Sequence, residues 1–127
     1  MHRSQLAGLI IDCDTDDLDS AAEFWSQALG CSEQRSTDPA EDNYVALKTG
    51  ANDLYIEVQK VKHPSRVHID IESDDIEAEV NRLEKLGAKR VKRIRTWWVM
   101  EAPTGHRFCV VRPQRADFVD EANQWEE

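Results

Sequence analysis

The chain has 127 residues, 40% of them hydrophobic and 32% charged, and a net charge of −9 at neutral pH. That length gives room for one domain and one core, with roughly two thirds of the unfolded surface buried on folding. The acidic balance argues against nucleic acid or an anionic membrane surface as partner, and no apolar run approaches the about 20 residues of a membrane helix. Near the N-terminus, Leu9-Ile10-Ile11 is cut short by Asp12, too little for the core of a signal peptide. Cys13, Cys31 and Cys109 are odd in number, widely spaced and lack a C-x-x-C pair. Free thiols in a reducing cytoplasm are the simplest account of them.

The first strand is expected over Leu6 to Cys13, an aliphatic stretch, and Asp16/Asp17 supply carboxylates for the start of a helix. Ala21, Phe24, Trp25, Ala28 and Leu29 then recur at helical spacing, and Gly30 stops the helix. Three strand candidates follow near Glu33–Ser36, Asn43–Lys48 and Asp53–Lys60, separated by turns at Asp38-Pro39 and Gly50-Ala51-Asn52-Asp53. After the linker His63-Pro64-Ser65 the same order begins again. Arg66 to Glu72 is a strand, Asp74/Asp75 open a helix carrying Ile76, Val80, Leu83 and Leu86, and Gly87 stops it. Strands near Lys89–Arg95, Thr96–Glu101 and Arg107–Arg112 complete the second series, with Pro103-Thr104-Gly105 as a turn.

The recurrence extends to the residues themselves. Ile11 to Asp19 reads IDCDTDDLD and Ile69 to Glu77 reads IDIESDDIE, matched or conservatively replaced except for Cys13 against Ile71, at a constant offset of 58. Two copies are too few for a solenoid, so the fold class is α+β, a single pseudo-symmetric domain of two β-α-β-β-β modules. Module one spans 6–60, module two 66–112, and the domain 1–113. A helix on one face of each sheet leaves the other open, and two such sheets side by side make a trough suited to a small molecule. The acidic tail over 114–127 carries Phe118, Ala122 and Trp125 at near-helical spacing. Its pattern fits docking on its own domain or on a second subunit equally well.

The strings LIIDCDTDDLDSAAEFWSQALG, LYIEVQKV, RVHIDIESDDIEAEVNRLEKLGA and VMEAPTGHRFCVVRP, in this order and spacing, resemble the vicinal oxygen chelate superfamily. They cover nearly the whole chain to Pro113, and the form looks closest to the glyoxalase-like domains, in the group of the glyoxalases, bleomycin resistance proteins and dioxygenases. The resemblance implies a trough-like mixed sheet and a homodimer. In metal-using members, four ligands come one each from the first and last strands of both modules. Carried over by motif, those positions are Ile10, Glu57, His68 and Cys109. Glu57 and His68 fit the family's ligand types, Cys109 stands where a carboxylate is usual, and Ile10 cannot ligate. Glu57, His68 and Cys109 would then be the metal candidates, with zinc favoured by the thiolate and nickel or iron as alternatives. Asp12, one inward step along the strand from Ile10, is a substitute donor.

Strand alternation sets the facing. Leu54, Ile56 and Val58 are expected to pack under the helix, which turns Tyr55, Glu57 and Gln59 into the trough. Val67, Ile69 and Ile71 likewise direct His68, Asp70 and Glu72 inward, and Phe108 and Val110 leave Arg107 and Cys109 on the trough side. One of Trp97 and Trp98 walls the ligand site and the other packs beneath the helix. The expected ligand-binding set is therefore Asp12, Tyr55, Glu57, His68, Asp70, Trp97, Trp98, Arg107 and Cys109. Glu57, Asp12 and Asp70 are the candidates for proton transfer, since carboxylates sharing a trough raise one pKa.

Blander readings stand beside these. Glu57 and His68 can simply pair, Cys109 can be an inert small hydrophobe, and Asp12 and Asp70 can bind backbone amides or water. His106 falls in a solvated turn, and His2 and His63 have terminal and linker settings. Lys85, Lys89, Arg90, Lys92, Arg93 and Arg95 fit a charge-guarded edge strand better than a nucleic-acid site. The leading expectation is a protein that binds a small organic molecule without a family-type metal. The alternatives are a metal-dependent lyase, isomerase or dioxygenase-like enzyme, in which the ion polarises vicinal oxygens, and a dimeric interaction module using the basic strand and the tail.

Overall fold

The computed structural model describes all residues, Met1–Glu127, and they divide into two compact units: Met1–Gly8 with His68–Glu127, and Leu9–Val67. The strand β1, His2–Asp14, runs through the boundary, so its first residues belong to the former unit and its last to the latter. Nine strands and three α-helices make this an α+β protein with a mixed, open sheet.

In the Leu9–Val67 unit, α1 (Leu18–Leu29) is followed by β2 (Glu33–Gln34), β3 (Tyr44–Leu47) and β4 (Tyr55–Val61). The strand order is β2-β3-β4-β1, with β2, β3 and β4 paired antiparallel. Asp17 caps α1: its carboxylate accepts from Ser20 N at 3.1 Å and from Ser20 Oγ at 2.7 Å. Those two bonds hold the Asp17 carboxyl below its usual range. Gly30 ends the helix at φ 69°, a left-handed position that glycine takes without strain. The helix packs on β2, β3 and β4 and covers Val45, Leu47 and Val58, all at most 2% exposed.

The face that α1 buries is Leu18, Ala21, Ala22, Trp25 and Ser26. Phe24, Ala28 and Leu29, expected in that stripe, lie outside it, and Phe24 is 61% exposed with its ring edge-on to Trp25. At about 100° per residue, Ala22 and Ser26 share an arc with Leu18 and Trp25 that Phe24 and Ala28 do not.

In the other unit, β5 (Arg66–Ser73, from His68 on) leads to α2 (Ile76–Lys85), β6 (Lys89–Ile94), β7 (Trp97–Glu101) and β8 (Arg107–Val111). The order is β5-β8-β7-β6, parallel between β5 and β8 and antiparallel elsewhere. Asp75 caps α2 by accepting from Ala78 N at 3.0 Å, the repeat counterpart of Asp17. Beneath α2 lie Val80, Leu83, Met100, Phe108 and Val110, with Ile71, Ile76 and Trp98 packed against them. The cluster reaches Ile71 only. Ile69, expected to share it, is 40% exposed, and Val67, in the neighbouring unit, is 56% exposed.

The tail forms α3 (Phe118–Glu121) and β9 (Asn123–Trp125), and β9 pairs antiparallel with β1 through His2↔Trp125 and Ser4↔Asn123. Within this chain it docks on its own unit. Phe118 and Ala122 are buried, Trp125 Nε1 donates to Ser4 Oγ at 2.8 Å, and the Arg82 guanidinium lies 3.8 Å over the Trp125 ring.

Candidate functional site

Alternation along β8 places Phe108 and Val110 under α2 and turns Cys109 to the uncovered face. The register then builds a row across that face. Asp70 on β5 stands opposite Cys109, which stands opposite Val99 on β7, which stands opposite Lys92 on β6. His68 precedes Asp70 by two residues and shares its face, with His68 Nε2 3.6 Å from Asp70 Oδ1. One donor atom each from His68, Asp70 and Cys109 lies within 4.8 Å of the others. Their setting is dry: the side chains of His68 and Asp70 are 13% and 9% exposed, and Cys109 is 9% exposed.

Arg107 and Glu101 occupy the same face in direct register, and Arg107 Nε donates to Glu101 Oε1 at 3.3 Å. Of the adjacent tryptophans, Trp98 packs against the core with the Arg90 guanidinium 5.0 Å from its ring. Trp97, one residue earlier, is half-buried on the opposite, uncovered face beside Val99.

Glu72, the next inward position of β5, is wholly buried and committed elsewhere. Its Oε1 accepts from the backbone N–H of Gln114 at 2.6 Å and of Arg115 at 3.0 Å, and its Oε2 from Gln5 Nε2 at 2.7 Å. It fastens the start of the tail. A carboxylate accepting three N–H bonds is satisfied without water.

The Leu9–Val67 unit holds a different group. Cys13 sits against Trp25 of α1, where burial pushes its thiol up against a smaller opposing hydrogen bond from Trp25. Ile10 and Asp12 therefore occupy the other face of β1, both buried. Asp12 Oδ2 lies 3.8 Å from His63 Nε2 and 3.8 Å from Arg66 Nε. The His63 ring is oriented by its surroundings: Nδ1 donates to Pro64 O at 2.9 Å, and Arg66 Nη2 donates to Nε2 at 3.4 Å. Nε2 is then the basic nitrogen. Tyr55, Glu57 and Gln59 share one half-buried face of β4, where Glu57 stands opposite Ala46 and Gln59 Nε2 donates to Tyr44 Oη at 2.9 Å.

The sequence-predicted residues thus fall into two sets. His68, Asp70 and Cys109 converge, with Arg107 and Trp97 on the same face, whereas Trp98 belongs to the core. Asp12 meets His63, which linker position alone had set aside, and Arg66, at the start of β5. No local pattern announces that contact, because topology, not spacing, brings the linker to β1. His2 was likewise missed. It is 3% exposed, with Nε2 2.8 Å from Glu79 Oε1 and Nδ1 bonded to Glu127.

The donor set can be tested against a metal. A family-type four-ligand site fails at Ile10, which is 2% exposed and has no donor atom. A thiolate, an imidazole and a carboxylate do suit zinc, whose tetrahedral bonds place such donors about 3.3–3.6 Å apart. The His68–Asp70 separation of 3.6 Å already meets that spacing.

Residues 9–111 match the family model of the glyoxalase-like domain. No curated protein matches the chain significantly. Among solved structures, a hypothetical protein from Bacillus halodurans is similar with a TM-score of 0.64 and 13% identity, over 89% of this chain and 97% of that one. The methylmalonyl-CoA epimerase of Mycobacterium tuberculosis is similar with a TM-score of 0.63 and 16% identity, over 86% and 87%. A second methylmalonyl-CoA epimerase gives a TM-score of 0.59 and 14% identity, over 86% and 95%. At these identities the likeness establishes the fold alone.

Proposed function

The chain belongs to the glyoxalase-like domain family of the vicinal oxygen chelate superfamily, and from that premise we propose that it binds a small organic molecule on the uncovered face of β5, β8 and β7 without a family-type metal. The observation that carries this reading is the pairing of a buried, donorless Ile10 with a face that offers both apolar and charged contacts. Trp97 and Val99 supply the apolar wall. Arg107, His68 and Asp70 supply charge and hydrogen bonds, the mixture of which small-molecule sites are made. A flat or aromatic molecule bearing an acidic group fits that chemistry, its ring against Trp97 and its anion toward Arg107. On the Leu9–Val67 unit, Asp12, Tyr55 and Glu57 are proposed as ligand-binding residues in their own right.

The test is thermal unfolding of chelator-treated protein against a panel of aromatic acids and hydrophobic, antibiotic-like compounds. Saturable stabilisation by at least one class, weakened by Arg107→Ala, is the expected outcome. Stabilisation seen only after a divalent metal is restored overturns the metal-independent reading.

A second reading is favoured by the convergence of His68, Asp70 and Cys109: a metal-dependent lyase, isomerase or dioxygenase-like enzyme, where an isomerase is the kind of enzyme the similar epimerases are named for. In it Glu57, Asp12 or Asp70 moves a proton, and the ion when bound acts as a Lewis acid. Metal-dependent turnover of a dicarbonyl or diol substrate would establish it. Both readings place the protein in a reducing cytoplasm, in keeping with three free cysteines, and as a homodimer, which sedimentation checks.

A further inference from the structure

We infer that Lys92 of β6 selects for the acidic group of the bound molecule, so that the uncovered face takes amphiphilic organic acids in preference to their neutral counterparts. This rests on the binding reading above and names the residue that sets the ligand class.

The residue reaches that face through an irregularity in its strand. Strand β6 pairs with β7 through Lys89↔Glu101 and Arg90↔Met100, and then, after a shift at Val91, through Lys92↔Val99, Arg93↔Trp98 and Ile94↔Trp97. Opposed residues of an antiparallel pair share a face. Arg90 and Arg93 therefore lie on the side of α2, where the Arg90 guanidinium donates to Glu77, Asn81 and Glu84. Lys89, Lys92 and Ile94 lie on the uncovered side with Glu101, Val99 and Trp97. In a regular strand Lys92 would share the face of Arg90 and point toward α2. The extra residue, Val91, turns it over. Bulges re-aim side chains in this way and are over-represented beside active sites.

The registers then order the face by polarity. Trp97 and Ile94 form an apolar row, Cys109, Val99 and Lys92 the next, and Arg107, Glu101 and Lys89 a charged one. Successive rows are two residues apart, about 7 Å, so an apolar body laid on Ile94, Trp97 and Val99 ends beside Lys92. In the charged row Glu101 stands between Arg107 and Lys89 and accepts from Arg107 Nε at 3.3 Å. That carboxylate offsets much of the row's charge and leaves Arg107 to offer a ligand hydrogen bonds. Lys92 faces apolar Val99 and forms no ion pair. A chain of net charge −9 repels anions as a whole. The uncompensated ammonium of Lys92 is therefore the local charge that admits one.

The experiment is calorimetric titration of the chelator-treated full chain with naphthoate and naphthamide, and with cinnamate and cinnamamide, pairs alike in shape and different in charge. The wild type should bind each acid about 5–10-fold more tightly than its amide, the range between an exposed ion pair and a charge-assisted hydrogen bond. Lys92→Gln should bring that ratio close to one and leave amide affinity unchanged, whereas Lys92→Arg should keep it. Lys85→Gln removes the same charge from an exposed position of α2, on the covered side of the sheet, and should keep the ratio as well. A ratio kept in Lys92→Gln, or lost equally in Lys85→Gln, overturns the inference and leaves the binding reading standing. A wild type that binds amides as tightly as acids, or neither while other compounds stabilise it, does the same. A wild type that no organic compound stabilises contradicts the binding reading itself, and this inference with it.

Discussion

The two halves of the repeat put different chemistry on the same positions. His68 and Asp70 lie 58 residues after Ile10 and Asp12. In one unit the pair is a histidine and a carboxylate 3.6 Å apart, with a thiol from the neighbouring strand completing the group. In the other, the histidine position is a buried isoleucine, and the retained aspartate meets two cationic or basic side chains, His63 and Arg66, from beyond β4. Duplicated backbones therefore conserve where a side chain points and leave open what it meets. One half has the composition of a metal or acid–base group, and the other that of a charge-balanced carboxylate.

The largest effects should separate a buried position of one unit from an exposed position of the other. Met100 is fully buried beneath α2, so Met100→Ala should cost about 2–5 kcal/mol in denaturant unfolding. In the other unit Phe24→Ser, at 61% exposure, should change stability by less than about 0.5 kcal/mol. A comparable loss from both would contradict the placing of Met100 in the core and of Phe24 outside it. Glu72→Ala comes next. It strands the N–H groups of Gln114 and Arg115 and removes the partner of Gln5, a loss of roughly 1.5–3 kcal/mol for the charged hydrogen bonds. Limited proteolysis should then cut first in residues 114–127.

The pH dependence sharpens the same contrast, because the unit holding the tail contains the strongly coupled pair. Burial opposes the imidazolium of His2, but its hydrogen bonds to Glu79 and Glu127 outweigh burial and raise its pKa above the ordinary 6.5. Burial also pushes Glu79 up, but hydrogen bonds from Arg82, His2 and Ser4 prevail and hold it below 4.5. A raised histidine contributes stability that is complete below 6.5 and lost as pH rises through the folded value. A lowered glutamate contributes stability that is present above 4.5 and lost as pH falls through its folded value. The melting temperature should therefore peak between these limits, and His2→Gln should flatten its alkaline limb. A small effect is also expected of Arg66→Ala. Its contact with Asp12 is 3.8 Å and its side chain 45% exposed, so the loss should stay below about 1 kcal/mol.

Much of the fold was legible because its signals are local. The repeat, the caps at Asp17 and Asp75, and the strand cores at Tyr44–Leu47, Trp97–Glu101 and Arg107–Val111 follow from alternation, N-cap chemistry and turn residues. What escaped is held by distant partners. His2-Arg3-Ser4-Gln5 has no apolar alternation, yet it is strand because β9 pairs with it and Asp74 accepts from Arg3 N at 2.8 Å. Helical spacing in the tail gave way to one turn and a strand for the same reason, since β1 offered Trp125 a ladder and Ser4 a hydrogen bond. At the site, alternation found the faces of Cys109, Arg107 and Asp70. It gave no means to see that Asp12 meets His63, or that Glu72 serves the tail.

The central claim is that ligand recognition belongs to the uncovered face of β5, β8 and β7, and the adjacent tryptophans offer a direct test. Fluorescence titration of chelator-treated Trp97→Phe and Trp98→Phe proteins with a ligand that stabilises the wild type separates the two faces of one strand. The account predicts that the ligand-dependent change is lost in Trp97→Phe and kept in Trp98→Phe. A change kept in Trp97→Phe and lost in Trp98→Phe would put the ligand on the wrong side of the sheet and contradict it.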